Sequence, residues 1–434
     1  MTGERRRMLS WAFYDWANSS FATVVMAGFF PVFFKEFWAR GLSVTDSTFW
    51  LGLANSLASL LILVLAPLLG AVADQLGAKK RFLIVFTVLG VLATGALFWL
   101  SQGLWGMALA IYVLGMIGFS GSNIFYDAMI VDVARPADYE RVSALGYALG
   151  YLGGGLLFAM NVVMTLRPDW FGFAGPGEAV QAAFLGVAIW WALFSIPVAL
   201  WVPEVGRRAL PLATAIRGAL AELSGTLGEM RRLPMTFLFL LAYWFYIDGV
   251  DTIIRMAVDY GLSLGFPANS LMVALLITQF VGFPAALVFG HLGARWGAKP
   301  AILLAIAMYM LVILGASQMS RVEEFYALAI AIGLVQGGIQ SMSRALFAAL
   351  IPADESARFF GLFNMVGKFA AVLGPALVGG AAVLTGDPRY SLLPILLLFA
   401  IGAALLWRVD VERGRAAVVA RGEPSKAGSD PRGP

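Results

Sequence analysis

Apolar runs of about twenty residues recur along almost the whole chain, at 11–38, 49–73, 82–101, 104–134, 141–166, 180–202, 235–262, 268–292, 298–317, 323–350, 357–383 and 390–409. At 1.5 Å rise per residue, each is long enough to cross a hydrocarbon layer roughly 30 Å thick. Only 13% of the 434 residues are charged and 60% are hydrophobic, whereas an ordinary soluble domain carries about 25% charged residues. Such a chain has no room for a large soluble core. It is expected to fold as an all-α integral membrane protein with twelve transmembrane helices, the first of which resembles a signal peptide but is too long and too interrupted by polar residues to be one.

An even number of crossings puts both termini on one face, and the loops say which. Arg5, Arg6, Arg7, Lys79, Lys80, Arg81, Arg231 and Arg232 share the face of the termini, while the other face has only Lys35, Arg40, Arg167, Arg321 and Arg389. Both termini are therefore expected in the cytoplasm of a bacterial inner-membrane protein. The net charge of +4 is spread over these short loops, which fits anionic lipid headgroups and argues against nucleic acid. Cysteine is absent and His291 is the single histidine. That excludes disulfides, thiolate metal sites and multi-histidine centres, so no metal or cofactor is expected. No phosphate-binding GxxxxGK[ST] loop occurs, and a membrane-embedded enzyme would need a constellation that the isolated carboxylates do not supply.

The longest connection, residues 203–234, divides the chain into bundles at 1–202 and 235–410, and its apolar spacing predicts an amphipathic helix on the membrane face. Residues 411–434, rich in Gly, Pro, Ser and charge, are expected to be disordered. The bundles repeat each other. "GAVADQLGAKK" from Gly70 matches "GHLGARWGAKP" from Gly290, pairing Gly70 with Gly290, Gly77 with Gly297 and Lys79 with Lys299; "ARPAD" matches "LIPAD", and "FYDWANS" matches "FYIDGVD". Three landmarks in one order indicate a duplicated six-helix unit, two pseudo-symmetric bundles.

"GAVADQLGAKKR" resembles the signature loop of the major facilitator superfamily. "WAFYDWANSSFATVVMAGFFPVFF", "VSALGYALGYLGGGL" and "FFGLFNMVGKFAAVLGP" are similar to bacterial members of its vacuole-effluxer-like, or "unknown major facilitator", family. The resemblance covers the chain except its tail. It implies the major facilitator fold, alternating access, and a gating role for Gly70, Asp74, Gly77 and Lys79, in which Asp74 latches the halves in the outward-facing state. The second copy has Ala294 in place of that Asp, so the latch is expected on one side only. The physical rationale is that Asp74 can meet a cation or a helix N-terminus of the opposite half.

An ionisable group near the bilayer centre costs roughly 2.5–3.5 kcal/mol on insertion scales, so it is normally paired or faces a wet cavity. Asp15 lies about 9 Å beyond Leu9 along the first helix, with Asn18 and Ser19 on its face, and is expected to face a central cavity. Asn123, Tyr126 and Asp127 share one face of the fourth helix, and Asp132 is expected to pair with Arg135 or with the signature loop. The seventh helix offers Asp248, Asp251 and Arg255. There Asp251 either pairs with Arg255 or binds substrate, and Asp248 is the stronger functional candidate. Arg344 with Gln340, and Lys368 with Asn364, place two cations deep in the second half, where Asp15 or Asp127 could neutralise either. Trp38, Trp50 and Trp105 read as interface anchors.

This mixture of carboxylates and cations suits a small polar or zwitterionic solute, with its carboxylate at Lys368 or Arg344 and its ammonium at Asp15 or Asp248. Proton coupling would run through Asp15 and Asp127. The resemblance implies amino acids, because the eukaryotic relatives are associated with vacuolar amino-acid efflux. Amphiphilic lipid-like or drug-like molecules, or a non-transport receptor or assembly role on the same fold, are the alternatives. A monomer is expected.

Overall fold

The computed structural model describes residues 3–206, 210–369, 373–386 and 388–422, with the backbone alone at 44, 222–231, 258–259, 262–263, 268–269, 375, 382, 388 and 422. Eleven helices among these residues are long and apolar enough to cross a membrane: Gly3–Trp38, Thr45–Leu76, Lys79–Trp99, Trp105–Ala128, Pro136–Leu166, Pro176–Trp201, Pro234–Ala257, Ser270–Trp296, Ala298–Ala316, Val322–Ala349 and Arg389–Trp407. Between the last two lie Ser356–Phe369 and Leu373–Thr385, which together occupy the eleventh position. Crossings are numbered below on this count of twelve.

Local chemistry sets several boundaries. Ser43 begins the second crossing by accepting the Asp46 amide on its hydroxyl, which satisfies one of the orphan N–H groups of a first turn. Gly77 ends that crossing at φ 57°, a left-handed conformation that glycine adopts without a Cβ penalty. The first crossing changes character midway. Residues Phe21–Phe29 are π-helical, a form that recurs at functional sites because it re-aims side chains within a helix.

Lysines close each bundle on itself. Lys80, at the start of the third crossing, donates to the carbonyls of Ala199 and Val202 at the end of the sixth, at 3.1 and 2.8 Å. Lys299, starting the ninth, donates to Trp407 and Val409 at the end of the twelfth, at 2.7 and 2.8 Å. In both halves a cation caps the negative end of a helix. The sequence pairs Lys299 with Lys79, but its structural counterpart is Lys80.

The connection between bundles contains helix Leu212–Arg232, whose Ala215 and Ala219 pack on Ala71 and Val72 of the second crossing. The tail differs from expectation, because Val411–Gly422 is a helix. Val411, Gly414, Ala417 and Val418 recur at helical spacing. Val411, Ala417 and Val418 pack against the core, and Gly414 abuts Leu350 and Met235. Composition hid this periodicity. Residues 423–434, also expected to be disordered, lie outside the described residues, as does the side chain of Asp259, which the sequence places near the outer end of the seventh crossing as a solvated carboxylate. Trp38 is no interface anchor either, being fully buried among Phe30, Phe33 and Phe184. His291 is exposed near the end of the eighth crossing.

Candidate functional site

The halves meet first at the face that carries the termini. Asp74 accepts the backbone N–H groups of Ala357 and Arg358 at 3.1 and 2.7 Å. These are first-turn amides of Ser356–Phe369 in the opposite half, where unpaired donors and the helix dipole favour a carboxylate. The contact depends on two glycines. A Cβ on Gly70 would lie 2.2 Å from the Ala357 carbonyl oxygen, and one on Gly361 would lie 2.5 Å from that of Ala66. Lys79 completes the seam, 3.0 Å from Asp132 and 2.7 Å from the Ser356 hydroxyl. Burial pushes the Asp132 carboxyl above the usual range, and Lys79 opposes that shift. Arg135 pairs with Glu4 instead of Asp132. At the second copy of the loop, Gly290 packs against Ala144 and Gly293 against Met342 and Glu140; Ala294 offers no carboxylate there.

Deeper in, Arg344 of the tenth crossing reaches across to the first half. It is 1% exposed. Nη1 lies 2.9 Å from Asp127 and 3.9 Å from Asp15, Nε donates to the Ser143 hydroxyl at 2.8 Å and Nη2 to the Ser143 carbonyl at 2.9 Å. The guanidinium also lies over the rings of Trp11, Tyr126 and Tyr147, 4.5–5.1 Å from their centroids. Every one of these partners belongs to the first half, so the planar fork of arginine bridges the two bundles. Tyr126 donates to Asp15 at 3.2 Å and Ser19 to its other oxygen at 3.0 Å. Asn364, from the second half, adds a 3.4 Å contact to Asp127, and Asn18 donates to Asn123 beside them.

The remaining sequence candidates separate into two groups. Asp251, Arg255 and Lys368 interact electrostatically, yet no ion pair within 4 Å joins them among the described residues. The intrahelical pair of Asp251 with Arg255 is therefore not formed. Arg255 is exposed, and Asp251 and Lys368 are half-buried. Gln340 is half-buried. Asp248 behaves differently. It is fully buried and accepts the Gly374 amide at 3.0 Å, holding the eleventh crossing to the seventh with no ion-pair partner among the described residues. It is not open for a substrate ammonium.

A cavity of ≈ 210 Å³ lies beyond this network, between the first crossing and the second half. Its wall includes Ala22, Thr23 and Ala27 of the π-helical stretch together with Ile254, Ala257, Leu275, Thr278, Gln279, Ile332 and Gln336. None of the charged residues singled out from the sequence lines it. Sequence reading also missed Trp11, Ser143 and Tyr147 as Arg344 partners, although Ser143, Tyr147 and Tyr151 stand at i, i+4, i+8 on one face of the fifth crossing.

Two like bundles of membrane helices, joined at the signature loop and across a buried charge bridge, define a major facilitator transporter, and solved structures share the fold over nearly the whole chain. The human organic anion transporter MFSD10 aligns over 94% of this chain and 100% of its own, with TM-score 0.70 and 16% identity. The proton:xylose symporter XylE aligns over 97% and 98%, with TM-score 0.68 and 13% identity. Residues 39–419 match the family model for vacuole effluxer Atg22-like proteins, and the chain belongs to that family. An uncharacterized MFS-type transporter of Bacillus subtilis, YxiO, is 37% identical over 93% of this chain and 94% of its own length. Autophagy-related protein 22 of Cryptococcus neoformans is 30% identical over 66% of this chain, which spans 53% of that longer protein. The protein is thus a multi-pass MFS-type transmembrane transporter and not an enzyme.

Proposed function

We propose that the protein moves a small zwitterionic solute with an apolar portion across a bacterial plasma membrane by alternating access. In this reading the terminal face is cytoplasmic and closed, and release of the Arg344 bridge opens it. The observation that carries the reading is the division of charge. Arg344, Asp127 and Asp15 satisfy one another across the halves, which makes them gate and proton machinery. Asp251, Arg255 and Lys368 hold unspent charge of both signs, suited to a solute's ammonium and carboxylate. Arg344 has two carboxylates within reach, so a proton on Asp15 or Asp127 weakens the bridge without leaving a buried charge unmatched. The name of the matched family, an effluxer, supports export of such a solute.

The apolar wall of the cavity favours a second reading, an amphiphilic lipid-like or drug-like substrate. The test is counterflow in proteoliposomes, with a pool of labelled amino acids in one arm and labelled amphiphilic cations in the other. Wild type is compared with Asp15→Asn and Lys368→Ala, with and without a proton gradient. Saturable amino-acid exchange lost in Lys368→Ala supports the first reading. Exchange in the amphiphile arm alone replaces it with the second, and flux indifferent to the proton gradient removes the coupling.

A further inference from the structure

The polar module at Asp15 occurs twice. In the first crossing Ser19 donates to Asp15 Oδ1 from one turn on, at 3.0 Å, and a Cβ on Gly150 of the fifth crossing would meet Ser19 Oγ at 2.6 Å and Asp15 Oδ1 at 2.9 Å. In the seventh crossing Thr252 donates to Asp248 Oδ1 from one turn on, at 3.4 Å, and a Cβ on Gly374 of the eleventh would meet Thr252 Oγ1 at 1.8 Å and Asp248 Oδ1 at 2.8 Å. The preceding tyrosines do not follow the repeat: Tyr14, next to Asp15, bonds Thr87 of the third crossing, whereas Tyr246, two residues before Asp248, bonds Ser343 of the tenth. Carboxylate, hydroxyl and facing glycine thus occupy equivalent places in the two bundles.

The copies differ in what faces the second carboxyl oxygen. Asp15 Oδ2 has the Tyr126 hydroxyl and the Arg344 guanidinium. Asp248 is 0% exposed, and its Oδ2 has no hydrogen-bond partner among the described residues. Among the described residues, the groups facing Asp248 are Thr252 and Asp251 on its own helix and the amides of Leu373 and Gly374 on the eleventh crossing. From the twelfth crossing, Ile395 and Phe399 pack beside it at Gly249 and bring no charge. Lys368 and Arg255 act on Asp251. A fully buried carboxylate with another carboxylate nearby and no cation is held at high cost, whereas a neutral carboxyl leaves only one hydroxyl unmatched, the smaller penalty.

We propose that Asp248 is a proton-binding site of the second half, occupied in the conformation seen here and distinct from the Arg344 bridge. The proton adds to Oδ2, leaving Oδ1 to accept Gly374 N–H and Thr252 O–H. When the eleventh crossing withdraws, water reaches the carboxyl, which releases its proton. Each transport cycle then carries a proton step in each half. This deepens the transport reading and rests on it, but the test requires no flux, so the two can fail separately.

The test is pH-difference infrared spectroscopy of the reconstituted protein, following the C=O stretch of protonated carboxyl groups. A band that persists at neutral pH is expected in wild type, in Asp15→Asn and in Asp127→Asn, and is expected to vanish in Asp248→Asn, whose amide oxygen can still accept Gly374 N–H. Thr252→Val withdraws one donor from the carboxylate and should raise the titration midpoint by about one unit, which keeps the test decisive if Asp248→Asn does not fold. The proposal is overturned by absence of the band in wild type, by its persistence in Asp248→Asn, or by an unmoved midpoint in Thr252→Val.

Discussion

Asp74→Asn is the sharpest test of the reading in which contacts at Asp74 hold the terminal face closed. Asp74 accepts two amides of the opposite half, one on each oxygen. Asparagine can accept only one of them and turns an NH₂ donor toward the other. A hydrogen bond to a charged group contributes about 1.5–3 kcal/mol, and the helix-dipole attraction is lost with the charge. At 1.4 kcal/mol per factor of ten, the population open at this face should rise about 10- to 150-fold. The chain lacks cysteine, so one introduced thiol reports without background. Ser341→Cys serves well, because Ser341 is fully buried on the tenth crossing and its link to Ser143 runs through its backbone carbonyl. Labelling by a membrane-impermeant maleimide from the terminal face should accelerate by the same factor in Asp74→Asn. It should stay unchanged in Lys80→Ala, where the lost contacts lie within one half. An unchanged rate in Asp74→Asn would refute the latch.

Two further outcomes follow from the same contacts. Arg344→Ala leaves Asp127 and Asp15 buried without their cation and should destabilise the fold by about 3–5 kcal/mol, read as a lowered unfolding temperature in detergent; adding Asp127→Asn should restore most of the loss, and no restoration would mean that the pairing is not what holds the site. Lys80→Ala and Lys299→Ala should cost similar amounts, about 1–3 kcal/mol each. Their double variant should show the sum, since the two sites share no partner.

The architecture was largely legible in the sequence because membrane crossings are set by length and hydropathy, which survive any detail of packing. Asp74 was legible for a related reason. A carboxylate beside two glycines in a short loop has few partners that can approach it, and a helix N-terminus is one of them. The seventh crossing was harder. Asp248 and Asp251 look equivalent in a linear reading, and their separation depends on Gly374, a residue 126 positions from Asp248. The apolar cavity was illegible for the opposite reason: Ala22, Ala27 and Ile254 are ordinary membrane-helix residues, and only the packing of other elements leaves space beside them. The tail helix was masked by composition, because its apolar contacts are few and small.

The paired lysine caps bear on how force passes through the molecule. Lys80 ties the third crossing to the sixth, and Lys299 the ninth to the twelfth, so each bundle is fastened to itself at equivalent places. In the proposed alternating-access cycle, these caps oppose the loosening of one helix from its neighbours. Movement in that cycle would then fall to one whole half against the other, with the Arg344 bridge where the two meet.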